Sequence, residues 1–359
     1  MSAVVPLAGA RRHKPRLALL GTGGVGSAFV DRYRRLLAKG LPLPEFGWLA
    51  NSRALHDCGE DAERALQRAR RSSPRRDALP PWAENESLRA GDLIVDATAS
   101  EIVADWHAEW LARGVHVVTA NKLGNGASEL RAQAIAQAIR HSGARYGDAA
   151  TVGAGLPLLR SLRALVAGGD RIHRIEGVLS GSLAWLFNQY DGALPFSHWV
   201  RQAQAAGYTE PDPRIDLSGE DVRRKLLILA RASGLMLRGE DVQVQSLVPV
   251  DLAALPLEEV DAALERLDEP LYAHWRAARD AGARLRFVGR FDGYGDSAEV
   301  GLQALDADHP LCGGAGTDNR VAIFSDRYAT RPLLIQGPGA GTEVTAAALL
   351  DDVLAIAAG

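Results

Sequence analysis

Arg16-Leu17-Ala18-Leu19-Leu20-Gly21-Thr22-Gly23-Gly24-Val25-Gly26 reads as a buried strand running straight into a glycine turn. The short apolar run suits a strand covered on both faces, and the helical pattern from Ser27 to Lys39 closes at Gly40. At such a junction Gly21 permits the tight turn, Gly23 lets the backbone approach a pyrophosphate, and Gly26 lets helix and strand pack closely. Gly24 and Val25 complete the turn, whose free N–H groups would receive phosphates at the positive end of the helix. Glycine turns are common in a chain with 37 glycines. The placement between strand and helix therefore carries the reading, more than the G-x-G-x-x-G spacing does.

Outward from that turn, Phe46–Ala50, Leu93–Val95 and Val115–Val118 read as further strands, with a helix over Ile102–Arg113. This alternation is the βαβ signature of a parallel sheet. Glu60 to Asp77 mixes Arg with Glu and Asp and ends in Ser72-Ser73-Pro74, so it reads as a solvated helix and loop rather than a basic patch. Beyond residue 150 the pattern changes. Helices over Leu156–Val166 and Ser218–Ser233 mix with strands over Ile172–Leu179, Arg286–Phe291, Val300–Leu305 and Val321–Ser325, which predicts a mixed or antiparallel sheet with helices on one face. Val344–Ala358 is a strongly helical apolar run. The fold class expected is α/β, a Rossmann-type doubly wound parallel sheet plus an α+β half with a mixed sheet. The dinucleotide-binding part spans 1–150, completed by a C-terminal helix in 338–359, and the substrate-binding and dimerisation part spans 151–337.

The composition removes several function classes. A net charge of −3 with 24% charged residues offers no footprint for nucleic acid or an anionic membrane surface. No apolar run approaches the roughly 20 residues that span a bilayer. The charges at Arg11, Arg12 and Lys14 follow the apolar N-terminal run, the wrong order for a secretory signal. Cys58 and Cys312 cannot build a disulfide framework or a zinc cluster, and a cytoplasmic protein is expected. The nine histidines show no ligand spacing; His107, His116 and His141 read as ordinary helix and strand residues. Only four of the 41 basic residues are lysine (Lys14, Lys39, Lys122 and Lys225). Lysine, unlike arginine, can be tuned to release its proton.

The second strand ends in Ala50-Asn51-Ser52-Arg53, where an NAD-binding fold usually carries an acid for the ribose 2′-hydroxyl. Either Arg53 pairs with a 2′-phosphate, with Asn51 and Ser52 offering hydrogen bonds, or it is a surface arginine; the missing acid favours NADP over NAD. Thr98 follows a later strand at the cofactor edge of the sheet and is a candidate contact on the nicotinamide side. Thr119-Ala120-Asn121-Lys122 ends another strand on the same edge, which puts Lys122 beside the expected nicotinamide. Further on, Ser218 and Asp221 form an S-x-x-D capping pattern that starts a helix. Asp221 and Lys225 then lie one turn apart, either as an ordinary surface ion pair or as part of a site.

These motifs, together with Thr151-Val152-Gly153-Ala154-Gly155-Leu156-Pro157, Leu179-Ser180-Gly181-Ser182-Leu183, the stretch from Gly207-Tyr208-Thr209-Glu210 to Lys225, and Gly337-Pro338-Gly339-Ala340-Gly341-Thr342, resemble the homoserine dehydrogenase family. The landmarks run in the family's order from residue 16 to the terminus. Asn51-Ser52-Arg53 and the Asp318-Asn319 to Phe324 region look most like the dehydrogenase half of bifunctional aspartokinase–homoserine dehydrogenases.

The resemblance implies reversible reduction of L-aspartate 4-semialdehyde to L-homoserine with NADP(H), NAD(H) being the second choice, in threonine, methionine and isoleucine biosynthesis. It implies Lys225 as general acid/base, with Lys122 as a second cation bridging substrate and nicotinamide; the two could act as a unit. Glu210 and Asp221 would meet the substrate's α-ammonium, Asp216 would support the lysine pair, and Gly181 and Ser182 would line the substrate site. Gly341 would approach the cofactor. A monovalent cation, Na+ or K+, would sit on the backbone carbonyls of Val152, Ala154 and Leu156, although Ala149 stands where the family often has an acid and Asp148 lies one place earlier. A homodimer through the second sheet is implied as well. The chain begins about fifteen residues before its first strand, so neither an aspartokinase half nor threonine inhibition through an appended domain is expected. Two other readings are weighed against this one: an aspartate-semialdehyde dehydrogenase, which needs a thiolate, and a catalytically inactive NADP-binding regulator, which would have lost a lysine or a carboxylate.

Overall fold

The computed structural model describes residues 14–59, 61–73, 87–293 and 297–358. The N-terminal residues 1–13, Glu60 and the Pro74–Asp77 end of the charged segment lie outside the described residues.

The first sheet is built from β1 (Arg16–Leu20), β2 (Glu45–Ala50), β3 (Leu55–Asp57), β4 (Leu93–Asp96), β5 (His116–Thr119) and β6 (Tyr146–Gly147), in the order β3-β2-β1-β4-β5-β6. All pairings are parallel except β2 with β3, an antiparallel edge that the alternation of elements does not announce. Between the strands run α1 (Gly24–Ala38), α2 (Ala62–Arg71), α3 (Glu101–Ala112), the single turn α4 (Leu123–Gly126) and α5 (Glu129–Ser142). Leu17 to Leu20 have no exposure, as expected of a central parallel strand. Helix α1 begins at Gly24, inside the glycine turn and three residues before the apolar periodicity starts. Asp61 caps α2 by accepting the N–H groups of Glu63 and Arg64, while Ser100 and Ser128 cap α3 and α5.

The second half contains α6 (Leu158–Ala167), β7 (Ile172–Val178), α7 (Gly181–Gln189), α8 (Phe196–Ala205), α9 (Pro213–Leu217), α10 (Glu220–Ala232), β8 (Gln243–Val244), α11 (Val250–Ala253), α12 (Leu257–Ala263), α13 (Asp268–Asp280), β9 (Ala283–Asp292), β10 (Ala298–Asp306), β11 (Asp318–Ser325) and β12 (Leu333–Pro338). The sheet order is β12-β11-β7-β9-β10-β8, antiparallel apart from the short β8–β10 pairing, so the sheet is mixed. Ile175, Phe287, Phe291, Val321 and Ile323 join one core with Leu226 and Leu229 of α10. The expectation of helices on one face needs correction: Ala184 of α7 packs with Val178, Val288 and Ala322, whose side chains alternate to the other face.

The final helix, α14 (Thr342–Ala357), returns to the first sheet. Its Ala346, Leu349, Leu350 and Val353 are buried in the same core as Leu17, Phe29 and Val118. No helix among the described residues is long and apolar enough to cross a membrane.

Candidate active site

The glycine turn behaves as steric accounting requires. Gly21 has φ +101°, and a Cβ there would lie 2.8 Å from the Ala97 carbonyl oxygen. A Cβ on Gly26 would overlap the Gly21 carbonyl, whereas one on Gly23 would meet nothing within 4 Å. Gly23 therefore faces open space at the N-terminus of α1, where the first N–H groups have no intrahelical partner. Thr342, at the start of α14, closes the other side, because a Cβ on Gly24 would come within 2.8 Å of its methyl group. This brings the loop of Gly341 (φ +129°) beside the dinucleotide turn from the far end of the chain.

Asn51 has little left to offer a ligand. Its amide donates to Thr22 Oγ1 (3.0 Å) and to the Ala69 carbonyl (2.9 Å), and its Oδ1 accepts the N–H groups of Arg53 (2.8 Å) and Ala54 (3.0 Å). It shapes the loop that presents the exposed Arg53. Sequence reasoning missed a second arginine here. Arg70 of α2 donates from Nε to the Thr22 carbonyl at 3.1 Å and from Nη2 to Ser27 Oγ. The charged segment around it reads as solvated, but Ala62, Ala65, Leu66 and Ala69 form a buried stripe that turns Arg70 toward the glycine loop. That stripe is the signal that could have found it.

At the other side of the cofactor edge the two singular lysines meet. Lys225 Nζ lies 2.8 Å from Asp221 Oδ2 and donates to the Leu179 carbonyl at 2.7 Å. Lys122 Nζ lies 3.2 Å from the other oxygen, Asp221 Oδ1. Lys225 is nearly buried at 7% exposure, while the Lys122 and Asp221 side chains keep 36% and 39%. Removal from water pushes the Asp221 carboxyl up, but the two ammonium groups outweigh it and hold the group well below the usual carboxylate range. Lys14 and Lys39 are exposed surface residues.

The two acids serve different partners. Asp221, not Asp216, supports the lysine pair, because its helical position one turn before Lys225 also faces the loop of Lys122. Asp216 instead accepts Ser182 Oγ at 2.7 Å and the Glu210 N–H at 2.9 Å, so it ties the Gly181–Ser182 turn to the loop that carries Glu210. Glu210 itself is exposed. Gly181 opens α7 against the Thr317 carbonyl, which a Cβ would approach to 3.2 Å. The S-x-x-D pattern does not cap α10: Gly219, in the left-handed region at φ 78°, is the N-cap, and the Asp221 side chain is taken by the lysines.

Both thiols are buried. Burial, with Asp57 adding to it, pushes Cys58 up to about 12, and Cys312 is raised by burial as well. Neither is a ready thiolate. Among the described residues no group of three or more His, Cys, Asp or Glu side chains could hold a metal ion. An open cavity of about 520 Å³ lies away from the lysine pair, between His173, Arg174, Arg290, Asp292 and Phe324.

Residues 21–147 match the family model described as "Homoserine dehydrogenase, NAD binding domain", and residues 157–354 match that described as "Homoserine dehydrogenase". The chain belongs to the homoserine dehydrogenase family. It is 39% identical over 345 residues to the bifunctional aspartokinase/homoserine dehydrogenase 2 of Escherichia coli, covering 94% of this chain and 42% of that protein. The chain thus spans about two-fifths of that bifunctional relative. It is 34% identical over 364 residues to the homoserine dehydrogenase of Emericella nidulans, covering 95% of this chain and 97% of the relative. Among solved structures, a Candida auris protein of unknown function superimposes with a TM-score of 0.83 at 32% identity, covering 96% of this chain and 98% of the other. The family is one of oxidoreductases, and its first part here is a nicotinamide-dinucleotide-binding domain.

Proposed function

We propose that this chain reduces L-aspartate 4-semialdehyde to L-homoserine, reversibly, with NADPH as the preferred partner. The observation that carries the reading is the Lys122–Asp221–Lys225 bridge at the cofactor edge. The nicotinamide supplies the hydride when bound. As the aldehyde carbon gains a C–H bond, its oxygen gains charge and needs a proton. Lys225, fixed between the Leu179 carbonyl and Asp221, is positioned to give that proton, and Lys122 supplies a second positive charge on the same carboxylate. The exposed carboxylate of Glu210 is free to meet the substrate's α-ammonium, and the Asp216–Ser182 contact sets its loop.

Two arginines, Arg53 and Arg70, flank the loop that follows β2, and neither neighbour is the acid that an NAD ribose would need. Their charge supports a 2′-phosphate. For a monovalent cation, Na+ or K+, the local backbone fits. Gly153 (φ +74°) and Ala154 (φ +49°) are consecutive left-handed residues, the latter strained. Val152 and Ala154 are buried, and no hydrogen bond to either carbonyl occurs among the described residues, whereas the Leu156 carbonyl already accepts the Leu158 N–H at 2.8 Å. Residues 1–150 with 338–359 would act as the cofactor unit and 151–337 as the substrate and homodimer unit.

The buried thiols disfavour an aspartate-semialdehyde dehydrogenase, and the intact lysine–carboxylate set disfavours an inactive regulator. The test is turnover of aspartate semialdehyde by purified protein, following NADPH and NADH in parallel. Oxidation of NADPH, faster than that of NADH at equal concentration, is expected. No turnover with either nucleotide would reject the assignment, and a strong NADH preference would reject the role given to Arg53.

A further inference from the structure

The chemistry above leaves one buried carboxylate at the cofactor edge unused. Asp96 is the last residue of β4 and its side chain has no exposure. Its Oδ1 accepts both the N–H (2.9 Å) and the Oγ1–H (2.7 Å) of Thr98. On the other oxygen, Oδ2, it pairs with His107 Nε2 at 2.9 Å and lies 3.5 Å from Thr119 Oγ1. His107, equally buried in α3, meets the Tyr146 hydroxyl through Nδ1 at 3.0 Å. The partners assign the tautomer: Nε2–H donates to the carboxylate and Nδ1 accepts from Tyr146.

Besides this buried link to His107 and Tyr146, the bonds of Asp96 run to two loops. Thr98 Oγ1 also accepts the Ser100 N–H (3.2 Å), and the Thr98 methyl group lies against Gly21. In the neighbouring loop Thr119 Oγ1 accepts the Asn121 N–H (2.8 Å), the Asn121 amide donates to the Ser100 carbonyl (2.8 Å), and its Oδ1 accepts the Leu123 N–H (3.1 Å). Lys122 stands between Asn121 and Leu123. A buried carboxylate is costly unless every lone pair is used, and a purely structural site could be filled by an apolar side chain at no such cost. Here Oδ1 is spent wholly on Thr98, and Oδ2 is shared between His107 and Thr119, whose loop leads to the second lysine.

We infer that Asp96 is a positioning residue for hydride transfer. Backed by His107 and Tyr146, its carboxylate fixes the Thr98 side of the nicotinamide pocket and, through Thr119 and Asn121, the loop that presents Lys122. The inference rests on Thr98 and Lys122 belonging to the active site, as proposed above.

Asp96→Asn keeps the shape but places an NH2 group against either the Thr98 donors or His107 Nε2–H. With aspartate semialdehyde and NADPH, kcat is expected to fall by about tenfold to a hundredfold, the loss typical of small misplacement of reacting groups. The primary isotope effect with NADPH deuterated at the transferred position should rise, because hydride transfer becomes limiting, while the dissociation constant for NADPH changes little. Tyr146→Phe, which reaches the carboxylate only through His107, should move kcat and the isotope effect in the same direction by a smaller factor, and it keeps the test alive if the first variant does not fold. A folded Asp96→Asn protein, or a Tyr146→Phe protein in its place, with wild-type kcat and isotope effect overturns the inference. A variant that loses only thermal stability overturns it too. An inactive wild-type protein would instead reject the functional reading, and the positioning role with it.

Discussion

Arginine and lysine carry the same charge, and this chain uses arginine almost everywhere, yet the proton transfer proposed for position 225 needs what only lysine has. Lys225 is enclosed by the Leu179 carbonyl and the Asp221 carboxylate, a setting in which an ammonium keeps a transferable proton within a fixed geometry. A guanidinium there would retain the charge and lose the usable proton. Lys225→Arg is therefore expected to lower kcat by about a hundredfold or more, with the NADPH dissociation constant nearly unchanged. Near-normal turnover would move the proton donor to Lys122 or to water. Asp221 shows the limit of spacing arguments: an i,i+4 relation gives reach to Lys225 and says nothing about Lys122, which arrives from another strand.

Among the elements, the strand–turn–helix at the start of the chain is the most legible, because each of its glycines answers a separate local constraint. The two outer ones are filled by backbone: Gly21 by the Ala97 carbonyl, Gly26 by that of Gly21. Gly23 meets nothing. Gly26→Ala should destabilise the protein by roughly 1–3 kcal/mol in urea unfolding, since the obstructing atom belongs to the turn itself. Gly23→Ala should leave the unfolding midpoint almost unchanged while weakening NADPH binding in a fluorescence titration. Equal effects of the two substitutions would contradict the division of labour. Other elements escape a reading by periodicity for identifiable reasons. Helix α7 buries more than half of its circumference, as Ser182, Leu183, Ala184, Leu186 and Phe187 show, so no narrow stripe marks it. The edge strand β3 has three residues, too few to alternate. Strand β12 contains Gly337 and Pro338, residues that usually argue against a strand.

On the scale of the molecule, the joint between the two sheets is held by the last helix. Asp352 of α14 accepts the Ala149 N–H at 3.0 Å and pairs with Arg160 of α6 at 2.8 Å. Burial raises its carboxyl above the ordinary range, with the Arg160 contact opposing the shift. Close by, the buried Asp148 pairs with Arg163 at 2.6 Å and accepts from Asn125 at 3.2 Å. Asp352→Ala would strand the Ala149 N–H in the interior, and a loss of roughly 1–3 kcal/mol in urea unfolding is expected. An unchanged midpoint would show that apolar packing of α14 alone secures the joint.

By itself the sequence determined what depends on neighbours along the chain: the glycine turn between β1 and α1, the parallel alternation, the reach of Asp221 to Lys225, and the long motifs that mark the family. These are set by backbone sterics and by periodicity, which act over one or two turns. Only the tertiary structure decided which carboxylate joins the two lysines, that Asp216 serves the Glu210 loop, that Arg70 leans on the glycine turn, and that Asp96 binds two loops together. Apart from the short steps from Asp216 to Glu210 and from Asp96 to Thr98, those pairings join segments far apart in the chain, and a charge or a donor in a sequence carries no record of which distant partner burial will force upon it.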